Sequence, residues 1–191
     1  MADDTREKYQ RATDGFDAVI RAVPAEKWEA QSPCTEWQAR DVAGHVIGIQ
    51  EMVLGWASTG ERPSLDWTKN RERAGADPVA VWSQARDTML AALTPEALER
   101  KVQSGLMGEV PLRQLLQLFI GDTVIHTWDL AQATGQQVRL DPQIVSELFT
   151  ATKAAPPDML RSAGGFGPEL PAPEGADEQT RLLAFLGRKA S

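Results

Sequence analysis

The sequence predicts an all-α chain folded as a helical bundle. Apolar residues recur at helical spacing along several long stretches. The starts of those stretches carry capping residues or a proline at the first helical position. No internal repeat is present, and only one short segment reads as anything other than helix or loop. At 191 residues, 42% hydrophobic and 25% charged, the composition is that of one globular domain able to bury a substantial core. The expected division is a core bundle over about 5–135 and a helical C-terminal extension over about 141–188, within a single domain spanning 1–191.

The first helix is expected from about Thr5 to Val23, with Tyr9, Ala12, Phe16, Val19 and Ile20 on its apolar face and Pro24 at its end. A connection containing Trp28 and Ser32-Pro33-Cys34 leads to the second helix. There Thr35 and Gln38 fit a capping box with the threonine as N-cap. Val42, Val46, Ile49 and Val53 continue one stripe to about Trp56. Residues 57–76 are polar and broken by Gly60, Pro63 and Gly75, the pattern of a long surface loop in which Arg71-Glu72-Arg73 is solvated.

Asp77-Pro78 opens a third helix bearing Val79, Trp82, Ala85, Met89 and Leu93. Thr94-Pro95 repeats the start signal for a short helical turn. Lys101 to Val110 has two glycines and no helical period, so it reads as irregular or briefly extended. Pro111 opens the fourth long helix, which ends at Gly135, a natural C-terminal cap. Asp141-Pro142 starts a fifth with Ile144, Val145, Leu148 and Phe149, stopped by Pro156-Pro157. A Gly- and Pro-rich stretch, 164–175, precedes a last amphipathic helix around Arg181-Leu-Leu-Ala-Phe-Leu-Gly187.

Charge and targeting features narrow the function. The 20 Lys+Arg against 27 Asp+Glu give a net charge of −7, and no segment holds a basic cluster, which argues against a nucleic-acid partner. No apolar run approaches the roughly 20 residues that span a bilayer. The N-terminus, Met-Ala-Asp-Asp-Thr-Arg-Glu-Lys, lacks the apolar stretch of a signal peptide. A single cysteine, Cys34, leaves no intrachain disulfide. A cytoplasmic protein without membrane association is the expectation.

The chain has two histidines. His126 follows Asp122 by four residues, so both side chains leave one helix face. Leu115, Leu118, Phe119 and Leu130 otherwise line that face, where a bare carboxylate is costly and a metal ion would remove the cost. His45 lies on the second helix. Two histidines and one carboxylate on packed helices make a three-ligand site with open positions, the arrangement of catalytic zinc. Nickel and iron accept the same donors, so the spacing leaves the metal open. Periodicity alone admits an equal reading, two packed core histidines beside an unrelated polar residue.

Five neighbours have double readings as well. Asp41 and Asp129, at i−4 and i+3 from the histidines, either orient an imidazole or serve as solvent-facing or cap-competing aspartates. Cys34, just before a helix start, has a redox or metal role or is a packed thiol. Trp37 and Trp128 line a pocket or anchor the core.

Ser32-Pro33-Cys34-Thr35-Glu36-Trp37-Gln-Ala-Arg-Asp41-Val-Ala-Gly-His45 resembles the opening motif of the DinB-like, mycothiol-dependent maleylpyruvate isomerase N-terminal domain family. Asp122-Thr-Val-Ile-His126-Thr-Trp128-Asp129-Leu-Ala-Gln-Ala-Thr-Gly135 resembles its second motif. Arg181-Leu-Leu-Ala-Phe-Leu-Gly-Arg188 resembles the tail of its shorter actinobacterial members. The resemblance implies a DinB-like four-helix bundle with additional C-terminal helices. It implies a divalent metal held by His45, Asp122 and His126, for which the donor set makes zinc the first expectation and nickel or iron the next. It further implies mycothiol as the thiol cosubstrate and a small electrophile as its partner, in a metal-dependent S-transferase or isomerase-like reaction.

The acid here is Asp where the family's isomerases carry Glu, which moves the ion by about one methylene. Those isomerases also add a C-terminal α/β domain where this sequence has a short helical tail, so maleylpyruvate itself is expected to be a poor substrate. No catalytic acid or base is assigned. Two other classes stand beside the enzyme: a non-catalytic metal-binding protein, and an interaction module that forms a homodimer with incidental metal.

Overall fold

The computed structural model describes residues 2–105, 107–156, 160–161 and 166–189. Helix α1 (Ala2–Arg21) buries the expected stripe of Tyr9, Ala12, Phe16, Val19 and Ile20. Helix α2 (Ala39–Thr59) buries Val42, Val46, Ile49 and Val53 and stops at Gly60, whose φ of 81° gives the left-handed cap. Its start differs from expectation. Gln38, not Thr35, is the N-cap, and Asp41 at the third helical position accepts the Gln38 backbone N–H at 2.9 Å. Two overlapping capping patterns compete here, and residues before Gln38 are committed to a tight turn.

The stretch after α2 is more ordered than a solvated loop. Asp66 caps a 3-10 turn over Trp67–Lys69 that runs into α3 (Asn70–Arg73). Asn70 and Ala74 are buried. Arg73 is not solvated either: its side chain is 10% exposed and pairs with Glu51 at 3.0 Å.

Helices α4 (Pro78–Ala92), α5 (Pro95–Glu99) and α7 (Pro142–Ala154) begin where their capping signals place them. The Asp77 carboxylate accepts from Ala80 N–H, the Thr94 hydroxyl from Ala97 N–H, and Asp141 from Gln143 and Ile144 N–H. Asp77→Ala is expected to cost about 1 kcal/mol in denaturant unfolding, with Asp77→Asn near wild type. Equal stability of the alanine variant would deny the cap its role.

After α5, strands β1 (Lys101–Ser104) and β2 (Gly108–Pro111) form an antiparallel hairpin, Lys101 opposite Pro111 and Ser104 opposite Gly108. This is the extended alternative for that segment. Helix α6 (Leu112–Thr134) ends at Gly135 with φ 78°.

The chain divides into two compact units, Met1–Val138 and Arg139–Ser191. In the first, α1, α2, α4 and α6 form the four-helix bundle: α1 packs on α6 and α4, and α2 packs on α4 and α6. Its core gathers Phe16, Ile20, Val42, Val46, Trp82 and Leu130. The Phe16 and Trp82 rings lie 4.7 Å apart, and Trp82 Nε1 donates to Asp17 Oδ1 at 3.0 Å, which satisfies the indole's polar tip.

In the second unit α7 packs on α8 (Glu178–Phe185), burying Ile144, Val145, Leu182 and Leu183. Pro157, and residues 164 and 165 of the Gly- and Pro-rich stretch, lie outside the described residues. Among the described residues no helix is long and apolar enough to cross a membrane.

Candidate metal centre

Helix α6 places Asp122 and His126 one turn apart, and α2 brings His45 to meet them. Asp122 Oδ2 lies 3.2 Å from His45 Nε2, and Asp122 Oδ1 lies 3.8 Å from His126 Nε2. The carboxylate thus sits between two imidazole edges whose ring centroids are 4.7 Å apart. One ligand atom from each residue falls within 4.8 Å of the others. Exposure is graded across the trio, with side chains 10% exposed at His126, 17% at His45 and 36% at Asp122. The Asp122 side of the trio is therefore reachable from solvent.

The far edge of His126 is held separately. Its Nδ1 lies 2.9 Å from Asp129 Oδ2, a short ion-pair contact that is out of line for a hydrogen bond. Asp129 is fully buried, and the Cys34 thiol donates to the same oxygen at 3.4 Å. Asp129 is therefore placed against the His126 ring and not in solvent. Asp41 serves as the α2 cap. Cys34, His126 and Asp129 also bring ligand atoms within 4.8 Å of one another, but there the carboxylate is engaged with the ring and the thiol.

Electrostatics favour positive charge at this place. Burial by itself lowers the basicity of His126, but the Asp122 charge and the contacts with Asp129 and Cys34 overcome it and raise the pKa to about 10. The acceptors hold a proton tightly where a divalent ion would supply the same compensation. Donor types, spacing and access all fit such an ion. Deeper in the bundle, the Tyr9 hydroxyl donates to Gln50 Oε1 at 3.3 Å. Burial raises the Tyr9 pKa, against the Gln50 bond and with the Asp122 charge, and keeps the phenol neutral.

The segment before α2 builds one wall. Ser32 Oγ donates to the Trp37 carbonyl at 2.7 Å and accepts the Cys34 N–H at 3.1 Å. The Gln31 amide donates to the carbonyls of Cys34, Thr35 and Trp37. The turn so fixed sets Trp37 4.8 Å from the His45 ring and 5.5 Å from the His126 ring, centroid to centroid. Trp37, half-buried, packs against both histidine rings, whereas Trp128 is a core anchor at 3% exposure.

Two placements depart from the sequence reading. Leu118, expected on the buried face, is 45% exposed one turn before Asp122. Trp67, which sequence reasoning left in the loop, lies 5.4 Å from His45, ring to ring. The available signal was a tryptophan inside an otherwise polar stretch.

The family model described as the mycothiol maleylpyruvate isomerase N-terminal domain matches residues 9–131. Two uncharacterised proteins of Mycobacterium tuberculosis, one from strain CDC 1551 / Oshkosh and one from ATCC 25618 / H37Rv, are each 33% identical over 183 residues, spanning 94% of this chain and 95% of theirs. Among solved structures, the mycothiol-dependent maleylpyruvate isomerase superposes with a TM-score of 0.59 at 16% identity, covering 81% of this chain and 73% of its own. A histidine-to-alanine mutant of that isomerase gives 0.59 at 15% identity with the same coverage. At such identity the likeness shows the fold.

Proposed function

The chain belongs to the mycothiol maleylpyruvate isomerase N-terminal domain family, and on that premise we propose that it is a metal-dependent enzyme acting on mycothiol and a small electrophile, as an S-transferase or isomerase-like catalyst. One observation carries the reading: a carboxylate on α6 faces two imidazole Nε2 atoms from two helices, on the side where the bundle opens to solvent. His45, Asp122 and His126 would hold the ion. Zinc fits this donor set first, with nickel and iron next. A divalent ion bound there lowers the pKa of a thiol, making thiolate available near neutral pH.

The surrounding residues prepare the site. Asp129, beside Nδ1 of His126, favours a proton on that nitrogen and leaves the Nε2 lone pair directed at the site. Trp37 covers both imidazoles and excludes water from that side. Asp122 offsets part of the ion's charge and remains accessible. Leu118 adds an apolar contact for the incoming small molecule.

The test is conjugation of mycothiol to a panel of electrophiles by metal-loaded protein, chelator-treated protein and Asp122→Ala. The expected result is a rate above background that chelator abolishes, that smaller thiols support less well, and that Asp122→Ala lacks while keeping its helical circular dichroism. Maleylpyruvate is expected among the poor substrates. A chelator-insensitive rate overturns the metal's role. Bound metal with no thiol-dependent rate on any electrophile would instead mark a metal-binding protein without this chemistry.

A further inference from the structure

The two histidines of the site are held in different ways. His126 has the buried Asp129 at its far nitrogen. His45, among the described residues, has Asp122 as its polar contact. Beside the His126 ring at 4.7 Å, its ring is flanked by Trp37 at 4.8 Å and Trp67 at 5.4 Å, from two separate segments of the chain.

Trp67 reaches that position because α2 is cut away beneath it. A Cβ on Gly44 would collide with the Asn70 carbonyl oxygen. One on Gly48 would lie 3.1 Å from the Trp67 ring and 3.2 Å from the Arg73 guanidinium, and one on Gly55 only 2.6 Å from Pro63. A glycine inside a helix forfeits about 1 kcal/mol relative to alanine, so three in one helix call for a reason in packing. Gly44 and Gly48 stand one turn apart on either side of His45 in the sequence, and they seat residues 67–73 directly on the helix.

The seat is also locked. The Arg73 guanidinium stacks 5.5 Å from the centre of the Trp67 ring. It donates to Glu51 at 3.0 Å, to Asn70 Oδ1 at 2.9 Å and to the Asp66 carbonyl at 3.0 Å.

We propose that Trp67 is the positioning residue of His45. Together with Trp37 it fixes the imidazole plane so that Nε2 faces Asp122, the service that Asp129 performs for His126. Arg73 and the glycines of α2 hold Trp67 in place. The inference rests on the metal reading above, so its test carries a readout that needs no metal.

Trp67→Ala and Trp67→Phe are compared with wild type by zinc titration and by NMR of the His45 imidazole in metal-free protein at fixed pH. Trp67→Ala is expected to weaken zinc binding roughly 10-fold, as loss of a ligand-orienting partner does, and to move the His45 ring signals, including their NOE contacts to Trp37, by more than loss of the indole ring current alone accounts for. His126 signals are expected to move less. Trp67→Phe, which restores an aromatic face, is expected to stay within about threefold of wild type by the same measure. His45 signals in Trp67→Ala that move no further than the lost ring current accounts for overturn the proposal whatever the affinity does, and so do moved signals with unchanged affinity. If wild type takes up no zinc, nickel or iron, the metal reading fails, and the imidazole signals alone decide whether Trp67 positions the ring.

Discussion

His126→Ala is expected to abolish stoichiometric metal uptake and to destabilise the bundle as well. Three protein donors converge on the site, and removing one leaves a two-ligand remnant. The second loss comes from the other ring edge. Asp129 is fully buried, and its contact with His126 at 2.9 Å is an ion pair. Breaking a buried pair by deleting one partner costs about 3–5 kcal/mol at most, because a buried charge loses its opposite partner. The Cys34 thiol, which stays on Asp129, offsets part of that.

His45→Ala and Asp122→Ala are expected to lose the metal equally but with less destabilisation, since their side chains are 17% and 36% exposed. Equilibrium dialysis with elemental analysis, alongside denaturant unfolding, separates the two effects. Wild-type metal content in all three variants would remove these residues from the site.

Asp129→Asn carries the second large expectation, a fall in metal affinity of about 10- to 100-fold. The substitution conserves shape in a fully buried position, so the bundle has no cavity to accommodate. What changes is the partner of His126 Nδ1. The carboxylate favours a proton on that nitrogen and enriches the ring as a donor at Nε2. The amide carries no charge, and turned the other way it presents a donor that selects the wrong tautomer. Metal titration of the folded variant measures the effect. A dissociation constant equal to wild type would leave Asp129 as a buried polar residue without influence on the site.

Much of the fold is legible in local sequence signals. Asp77-Pro78, Thr94-Pro95 and Asp141-Pro142 each announce a helix, because the cap and the proline act within one turn and no distant contact overrides them. Asp122 and His126 are legible for a related reason, since helical spacing fixes which side chains share a face; His45, on another helix, is joined to them by residue type and by the resemblance of its motif, and the structure brings the three side chains together. Asp129 needed the structure to choose between its readings, since i+3 spacing permits contact with His126 without requiring it.

The start of α2 was displaced because Thr35 and Gln38 each head a capping pattern, and the hydrogen bonds of Ser32 and Gln31 that select between them form in the preceding turn. Leu118 follows the helical period yet is exposed, because α6 packs chiefly on α1 and α2 and leaves part of its circumference open. Trp67 was hidden for the most physical of reasons. Its placement depends on two glycines some twenty residues earlier, Gly44 and Gly48, that look like ordinary helix-weakening residues until residues 67–73 are seen lying on them.

The most direct measurement is elemental analysis of the protein purified without chelator, followed by X-ray absorption at the edge of whatever metal is found. The account predicts close to one divalent ion per chain, coordinated by two imidazoles and one carboxylate with further light-atom ligands from solvent. Protein that carries no ion above trace and takes none up from zinc, nickel or iron solutions, or an ion whose coordination contains no imidazole, would contradict it.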